Sequence, residues 1–251
     1  MKNVSVKERQ DVKLSIGLAR SDDDVIAAQR LRWAVFAEEQ GVDLKSFAAE
    51  IDIDELDPFC DHLVVKQVST GRVVGTCRLM TAENAHRHGG YYSEQEFELG
   101  LLLSSGRRLL ELGRSCVHRD HRNGGTIALL WSGIAAYQLQ APHDAIIGCA
   151  SIPLGDRVAE NTALAHQLAA KSAPPNLRVA PHRPLPLPTG VRDSDSLPAI
   201  PPLIKGYLRC GAVVCGAPYW DESFNTADLF MYLPVDRIEA RYARHFLGQA
   251  A

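Results

Sequence analysis

The chain has 251 residues, 46% hydrophobic and 23% charged, with a formal net charge of −3. That length and apolar content suffice for one packed α/β domain, or barely for two small ones, with a core that needs no disulfides. The charge balance argues against nucleic acid as a partner, because phosphate binding needs a basic excess.

Six cysteines (Cys60, Cys77, Cys116, Cys149, Cys210, Cys215) show neither a C-x-x-C pair nor zinc-like spacing. Reduced thiols are expected, and no metal site. The opening MKNVSVKERQ lacks the apolar core of a signal peptide, and no apolar run reaches the ~18 residues that span a bilayer. The expectation is a cytoplasmic protein, with peripheral contact at the inner membrane face left open.

Along the chain, alternation in VKLSIGL (12–18) predicts a first strand. Ser21 and Asp24 make a helix start and Gly41 a stop. Val25, Ala28, Leu31 and Val35 form its buried stripe, and Arg32 and Phe36, four apart, point to a common place. The acidic stretch 48–61 reads as a loop. HLVVKQV and RVVGTCRLM around Ser-Thr-Gly read as a hairpin, and 82–106 as a long loop or irregular helix. RLLELGRSCVH (108–118) predicts a central strand, 124–140 a helix, 144–151 a strand and 158–171 a helix.

Nine of the fourteen prolines fall in 172–202. Proline suits neither a central strand nor a helix interior, so this stretch is expected to wrap the surface as a loop. PPLIKGYLRCGA then predicts a Pro-started helix, 225–234 a last strand and 235–248 a closing helix. Arg237, Arg241 and Arg244 on that helix suit either an ordinary amphipathic surface or an anionic lipid surface. The pattern is an α/β fold over residues 1–251: a mixed central β-sheet with helices on both faces.

Three constellations could carry chemistry. The strand–turn–helix ELGRSCVHRDHRNGGTIALLW opens a helix on Arg122, Gly124 and Gly125. Free N–H groups at a helix start can hold a phosphate, although a tight connection without a ligand fits equally. Within that strand Glu111 and Arg114, three apart, share a cleft only if the strand bulges near Gly113. Glu111 is then either a catalytic carboxylate or a structural partner of an arginine. The acids Asp52, Asp54, Glu55, Asp57 and Asp61 could hold an ammonium group or remain a solvated loop.

Five stretches, RLRWAVFAEEQGVDL, DELDPFCDHLVV, GTCRLM, ELGRSCVHRDHRNGGTIALLW and PPLIKGYLRCGAVVCGAPYWDESFNTADLFMYLPVDRI, resemble the ornithine–acyl carrier protein N-acyltransferases. These are GNAT-like relatives of the N-acyl-homoserine lactone synthases and N-acyl amino acid synthases. The resemblance covers about residues 12–247. It implies a GNAT-like fold, acyl transfer from acyl carrier protein to the α-amine of ornithine, and no tightly bound cofactor. The acyl-phosphopantetheine thioester is then the co-substrate, with acyl-CoA as the alternative donor. The lactone-synthase pattern is matched by Arg32, Phe36, Asp54, Asp57, Arg78, Glu111 and Arg114.

On this reading Glu111 takes the amine proton through water, with Arg114 beside it. Backbone N–H groups at Cys116 and Val117 hold the oxyanion, and Arg122, Gly124 and Gly125 grip the phosphate. Arg32, Arg78 or Arg114 receives the acceptor carboxylate, and Asp54 or Asp57 its side-chain ammonium. The cofactor loop of the wider class is matched only at Arg122 and Gly125, with Ile127 where Gly or Ala is usual, which favours a carrier-bound donor over free coenzyme A. His166 is the candidate proton donor to the leaving thiolate. A different acceptor amine, as in N-acyl amino acid or N-acyl-homoserine lactone synthases, and a non-catalytic acyl-carrier-binding module are the competing readings.

Overall fold

The structure, a computed structural model, describes residues 13–44, 46, 50–122, 124–170, 173–188 and 197–237. Strand β1 (Leu14–Leu18) leads through the cap of Ser21, whose hydroxyl accepts the Asp24 N–H at 3.3 Å, into α1 (Asp22–Trp33). The last turns, Ala34–Glu39, widen into a π-helix. The hairpin β2 (Asp61–Gln67) and β3 (Val73–Thr81) follows. The expected irregular stretch holds α2 (Ala82–His88), a 3₁₀ turn at Tyr92–Gln95, a two-residue β4 (Phe97–Glu98) and α3 (Gly100–Leu103).

Strand β5 (Leu109–Val117), helix α4 (Gly124–Gln140), strand β6 (Ala145–Pro153) and helix α5 (Val158–Ala169) match the patterned segments. The Pro-rich stretch is more tightly tied down than a surface wrap. Ala180–Pro181 forms β7 against β4, and Ala173, Val179 and Leu185 are buried. Helix α6 (Pro202–Arg209), short strands β8 (Val213–Val214) and β9 (Tyr219–Asp221) and the long β10 (Thr226–Pro234) complete the order. Of the expected closing helix, Val235–Arg237 is a 3₁₀ turn, and Arg241 and Arg244 lie outside the described residues.

The main sheet runs β1-β2-β3-β5-β6-β10-β8, with β9 on β10. β5 and β6 are parallel, and among the described residues the other pairings in this sheet are antiparallel. One face packs Leu130, Trp131 and Ile134 of α4, Leu164 and Leu168 of α5, and Ile204 and Tyr207 of α6 onto the sheet. The other face carries α1, through Ala28, Leu31 and Val35, and the 82–106 segment through Ala85, Tyr91, Phe97 and Leu102. Helices thus cover both faces, as the apolar patterning requires. Among the described residues no helix is long and apolar enough to cross a membrane.

Two irregularities open this sheet. The parallel ladder between β5 and β6 stops at Glu111↔Ile147, after which β5 follows β3 and β6 follows β10. Between Thr76↔Cys116 and Arg78↔Gly113 the β5 strand holds one residue more than β3, which is a β-bulge. The bulge lies one residue beyond Gly113, and Arg114 takes the left-handed backbone (φ 48°). A Cβ on Gly113 would meet only Arg78 Nε, at 3.9 Å. Holding an arginine in that conformation costs on the order of 1 kcal/mol or more, so the surrounding contacts must fix it.

Candidate functional site

A cavity of ≈ 210 Å³ occupies the gap between the diverging strands. β5 contributes Leu112, Gly113, Arg114 and Ser115, and β6 contributes Cys149, Ser151 and Pro153. Leu203 and Tyr207 of α6 reach it from one face of the sheet, and Phe36 and Tyr92 from the other. Gly148 marks the point of divergence: a Cβ there would stand 2.4 Å from the Leu112 carbonyl oxygen.

Beside the cavity lies a buried ion network. Arg32, 1% exposed, donates Nε to Asp52 at 2.8 Å, and Nη1 and Nη2 to Asp57 at 2.8 and 2.7 Å. Arg78 donates Nη1 to Asp54 at 2.6 Å and to Asp57 at 3.1 Å. Burial works to raise the Asp57 carboxyl, but the guanidinium groups of Arg32 and Arg78 hold it well below the usual carboxylate range. The same balance, with Arg78 dominant among the charges, lowers Asp54 and keeps Arg78 firmly protonated. Part of the acidic stretch is therefore no solvated loop: Asp52 and Asp57 are 2% and 6% exposed, each matched by arginine, while Glu55 and Asp61 are exposed. With its oxygens committed to Arg32, Arg78, Gln29 and the Asp54 N–H, Asp57 has no room for a substrate ammonium.

Arg114 is held more loosely. Its Nε and Nη2 lie 3.4 Å from Asp52 and 3.6 Å from Asp54, and Nε makes no hydrogen bond. The rings of Phe224, Phe36 and Tyr92 surround its guanidinium carbon at 5.2, 5.8 and 6.0 Å. Such an aromatic collar orients a cation without neutralising it. Phe36 meets the Arg114 guanidinium through its ring, and Arg32 shares Asp52 with Arg114. Of the residues singled out for substrate binding, Phe36, Arg78 and Arg114 line the cavity, while Arg32 and Asp57 stand behind it as support.

Glu111 occupies a different position from the one its motif suggests. It is 4% exposed and does not line the cavity. Its carboxylate accepts the Tyr92 N–H at 2.8 Å, the Ser93 N–H at 2.8 Å and the Ser93 hydroxyl at 2.5 Å. Burial raises its pKa and the Ser93 and Tyr92 donors oppose that rise. Its partner is a helix start, not an arginine, and its effect is to fix Tyr92 at the cavity wall. Cys116 and Val117 pair with β3 beyond the lining residues. The Cys116 thiol is buried and pushed up to about 12 by desolvation, which makes it a poor nucleophile.

At the start of α4, Gly124 and Gly125 are exposed, and a Cβ at Gly124 would meet nothing within 4 Å. Arg122 is tethered by Nε to the Val117 carbonyl at 3.0 Å and by Nη2 to Glu39 at 2.5 Å. His166 is turned away, bonded to the Pro186 carbonyl at 3.1 Å. Tyr207, a neutral phenol whose pKa burial raises well above the ordinary value, lines the cavity instead.

The sequence reading passed over three acids. Asp221 and Asp228 line the cavity, and Glu96 lies directly behind them. They come from a 3₁₀ turn, a three-residue strand and the last strand, so no spacing links them. Asp228 alone carried a signal, as a charged residue inside the otherwise apolar TADLFMYLP.

Residues 31–132 match the family described as acetyltransferase (GNAT) domain. The L-ornithine N(alpha)-acyltransferase of Rhizobium meliloti (strain 1021) is 39% identical over 258 residues, covering 94% of this chain and 85% of the relative. That of Rhodobacter capsulatus is 36% identical, over 92% of this chain and 93% of the relative. Among solved structures, FeeM, an N-acyl amino acid synthase from uncultured soil microbes, matches with a TM-score of 0.55 at 12% identity, over 95% of this chain and 99% of that one. The AHL synthase LasI matches with a TM-score of 0.53 at 15% identity, over 94% of each chain.

Proposed function

The chain belongs to the L-ornithine N(alpha)-acyltransferase family, and from that premise we propose that it moves a fatty acyl group from the phosphopantetheine thioester of acyl carrier protein to the α-amine of ornithine. The observation that carries the reading is the cavity between the diverging β5 and β6, with an arginine-lined wall and an open helix start at one end of β5. A pantetheine arm threaded through such a gap brings its thioester carbonyl to the bulged β5 backbone, where N–H groups freed from the ladder can face the developing oxyanion. The Arg114 guanidinium, collared but weakly paired, suits the acceptor carboxylate. Holding amine and carbonyl together in this way converts a bimolecular attack into a local one.

The transfer is direct. The amine nitrogen bonds to the thioester carbon, the tetrahedral adduct loses its proton to water, and the C–S bond breaks to give amide and a thiolate that takes a proton back from water. Tyr207 hydrogen-bonds the departing sulfur. Glu111 acts as a positioning residue through Tyr92, and Gly124, Gly125 and Arg122 hold the phosphate. Exposed Arg119 and Arg122 meet the acidic carrier. Expression in a host without N-acyl-ornithine, followed by mass analysis of its lipid extract, tests the function. N-acyl-ornithine supports it; an N-acylated product of another amine, or none, overturns it.

A further inference from the structure

Three carboxylates meet at the cavity without a counter-ion. One oxygen each from Glu96, Asp221 and Asp228 lies within 4.8 Å of the others, and all three residues are buried. Among the described residues no arginine, lysine or histidine forms an ion pair with any of them. Asp221 caps a turn, accepting the N–H and hydroxyl of Ser223 at 2.8 and 2.6 Å and the Phe224 N–H at 3.1 Å. Asp228 accepts the Thr226 hydroxyl at 2.9 Å. Glu96 is 3% exposed; the neutral side chains of Tyr92 and Cys149 face it, but neither of its oxygens has a hydrogen bond of normal geometry or a cationic partner. An unsatisfied buried carboxyl is expensive to fold, so such a group normally has a partner that arrives later.

The same cavity carries the opposite sign elsewhere. Arg78 and Arg114 line one part of its wall and Asp221 and Asp228 another, with Tyr92 and Phe224 among the lining residues. A molecule bearing both a carboxylate and an ammonium matches that division. A primary ammonium offers three N–H donors, one for each carboxylate, whereas calcium seeks six to eight oxygens.

We propose that Glu96, Asp221 and Asp228 form the subsite that receives the side-chain ammonium of the acceptor amino acid and so select a dibasic acceptor over an apolar one. The inference rests on the ornithine reading above and assigns to these residues the task first expected of Asp54 or Asp57, of which Asp57 is fully engaged by Arg32, Arg78, Gln29 and the Asp54 N–H. The α-carboxylate lies toward Arg114, the terminal ammonium toward Asp228, and the α-amine between them faces the thioester.

The test compares kcat/KM for ornithine and for norvaline, which keeps the α-amine, α-carboxylate and carbon chain but lacks the terminal ammonium. The full chain is assayed with the palmitoyl thioester of acyl carrier protein and with palmitoyl-CoA in parallel. Wild type should favour ornithine by roughly 100-fold or more, and Glu96→Gln and Asp228→Asn should each reduce that ratio at least about tenfold. Circular dichroism and the melting temperature of the same variants report whether they fold. A wild-type preference left unmoved in both variants overturns the subsite, as does a ratio restored or set by added calcium or magnesium, which would mark a metal site. A wild type that acylates another amine but not ornithine overturns the acceptor reading itself, a separate and distinguishable failure.

Discussion

Glu111 and Ser93 are joined twice: the carboxylate accepts the Ser93 backbone N–H at 2.8 Å and its hydroxyl at 2.5 Å. A strand residue thereby pins the start of the 3₁₀ turn that presents Tyr92 to the cavity. In Glu111→Gln the new amide N–H₂ must face at least one existing N–H donor. Losing one charged buried hydrogen bond costs about 1.5–3 kcal/mol. A fall in melting temperature of roughly 5 °C accompanying the loss of activity is therefore expected. Lost turnover at an unchanged melting temperature would instead make Glu111 the proton acceptor.

Much of this was legible in the sequence because it is local. The 3.6 and 2.0 periods locate α1, α4, β2, β3, β5, β6 and β10, and the expected bulge near Gly113 is present, although the shared cleft that motivated it is not: Arg114 lines the cavity and Glu111 does not. The sequence does not say which residue absorbs the distortion: the backbone strain falls on Arg114, where the guanidinium is anchored, and not on the permissive Gly113. Nor could it show that Asp52 and Asp57 are buried. Their exposure depends on Arg32, twenty and twenty-five positions away, folding onto them. Glu96, Asp221 and Asp228 meet only through the tertiary fold, so no local pattern records the cluster.

Gly148 keeps β5 and β6 in close contact at the point where their pairing ends. A methyl group there would stand 2.4 Å from the Leu112 carbonyl oxygen, and the φ of 157° is one that side chains rarely adopt. Gly148→Ala must push β5 and β6 apart where they last pair, at a cost of roughly 1–3 kcal/mol. A lower denaturant midpoint together with a raised KM for the thioester is expected. A variant with wild-type stability would show that this backbone relaxes freely.

The Arg–Asp network sets the acid limit of stability. Asp54 and Asp57 have folded-state pKa values below their ordinary 3.8, because Arg78 and Arg32 outweigh their desolvation. As pH falls, the unfolded chain takes up these protons first. The stabilisation is thus fully present above about pH 4 and is lost as pH drops through and below that value. Urea midpoints measured down to pH 3 should fall more steeply for wild type than for Asp54→Asn, which has already lost one of the titrating partners. Equal slopes would remove Asp54 from the account.

Arg119 is exposed beside the proposed phosphate site and makes no ion pair among the described residues. Acyl carrier proteins are acidic, so Arg119→Glu should raise KM for the carrier-borne donor several-fold, with an effect that shrinks as salt screens it over the ~10 Å Debye length. Palmitoyl-CoA, which brings no acidic protein surface, should be affected far less. Equal losses on both donors would place Arg119 at the phosphate and not at the carrier.

The acid cluster predicts how acceptor recognition depends on pH. Desolvation lifts the Glu96 carboxyl above its ordinary 4.5, and the neighbouring Asp228 and Asp221 charges lift it further. Desolvation likewise raises Asp228, opposed by Ser151 and Thr226. Tyr92 from the 3₁₀ turn and Cys149 from β6 face the same group, both as neutral side chains at working pH because burial raises each well above its ordinary pKa. A proton held by the cluster competes with an arriving ammonium. Ornithine binding must therefore strengthen as pH rises above the ordinary carboxylate range and the cluster ionises. The α-amine also loses its proton over that range, but equally in norvaline. The ratio of kcat/KM for ornithine over norvaline consequently isolates the side-chain contribution, and it should climb several-fold between roughly pH 6 and pH 8 in wild type. In Glu96→Gln that climb should flatten, since the most strongly shifted group can no longer titrate. A wild-type ratio independent of pH would mean that Glu96 and Asp228 do not exchange a proton for the arriving ammonium.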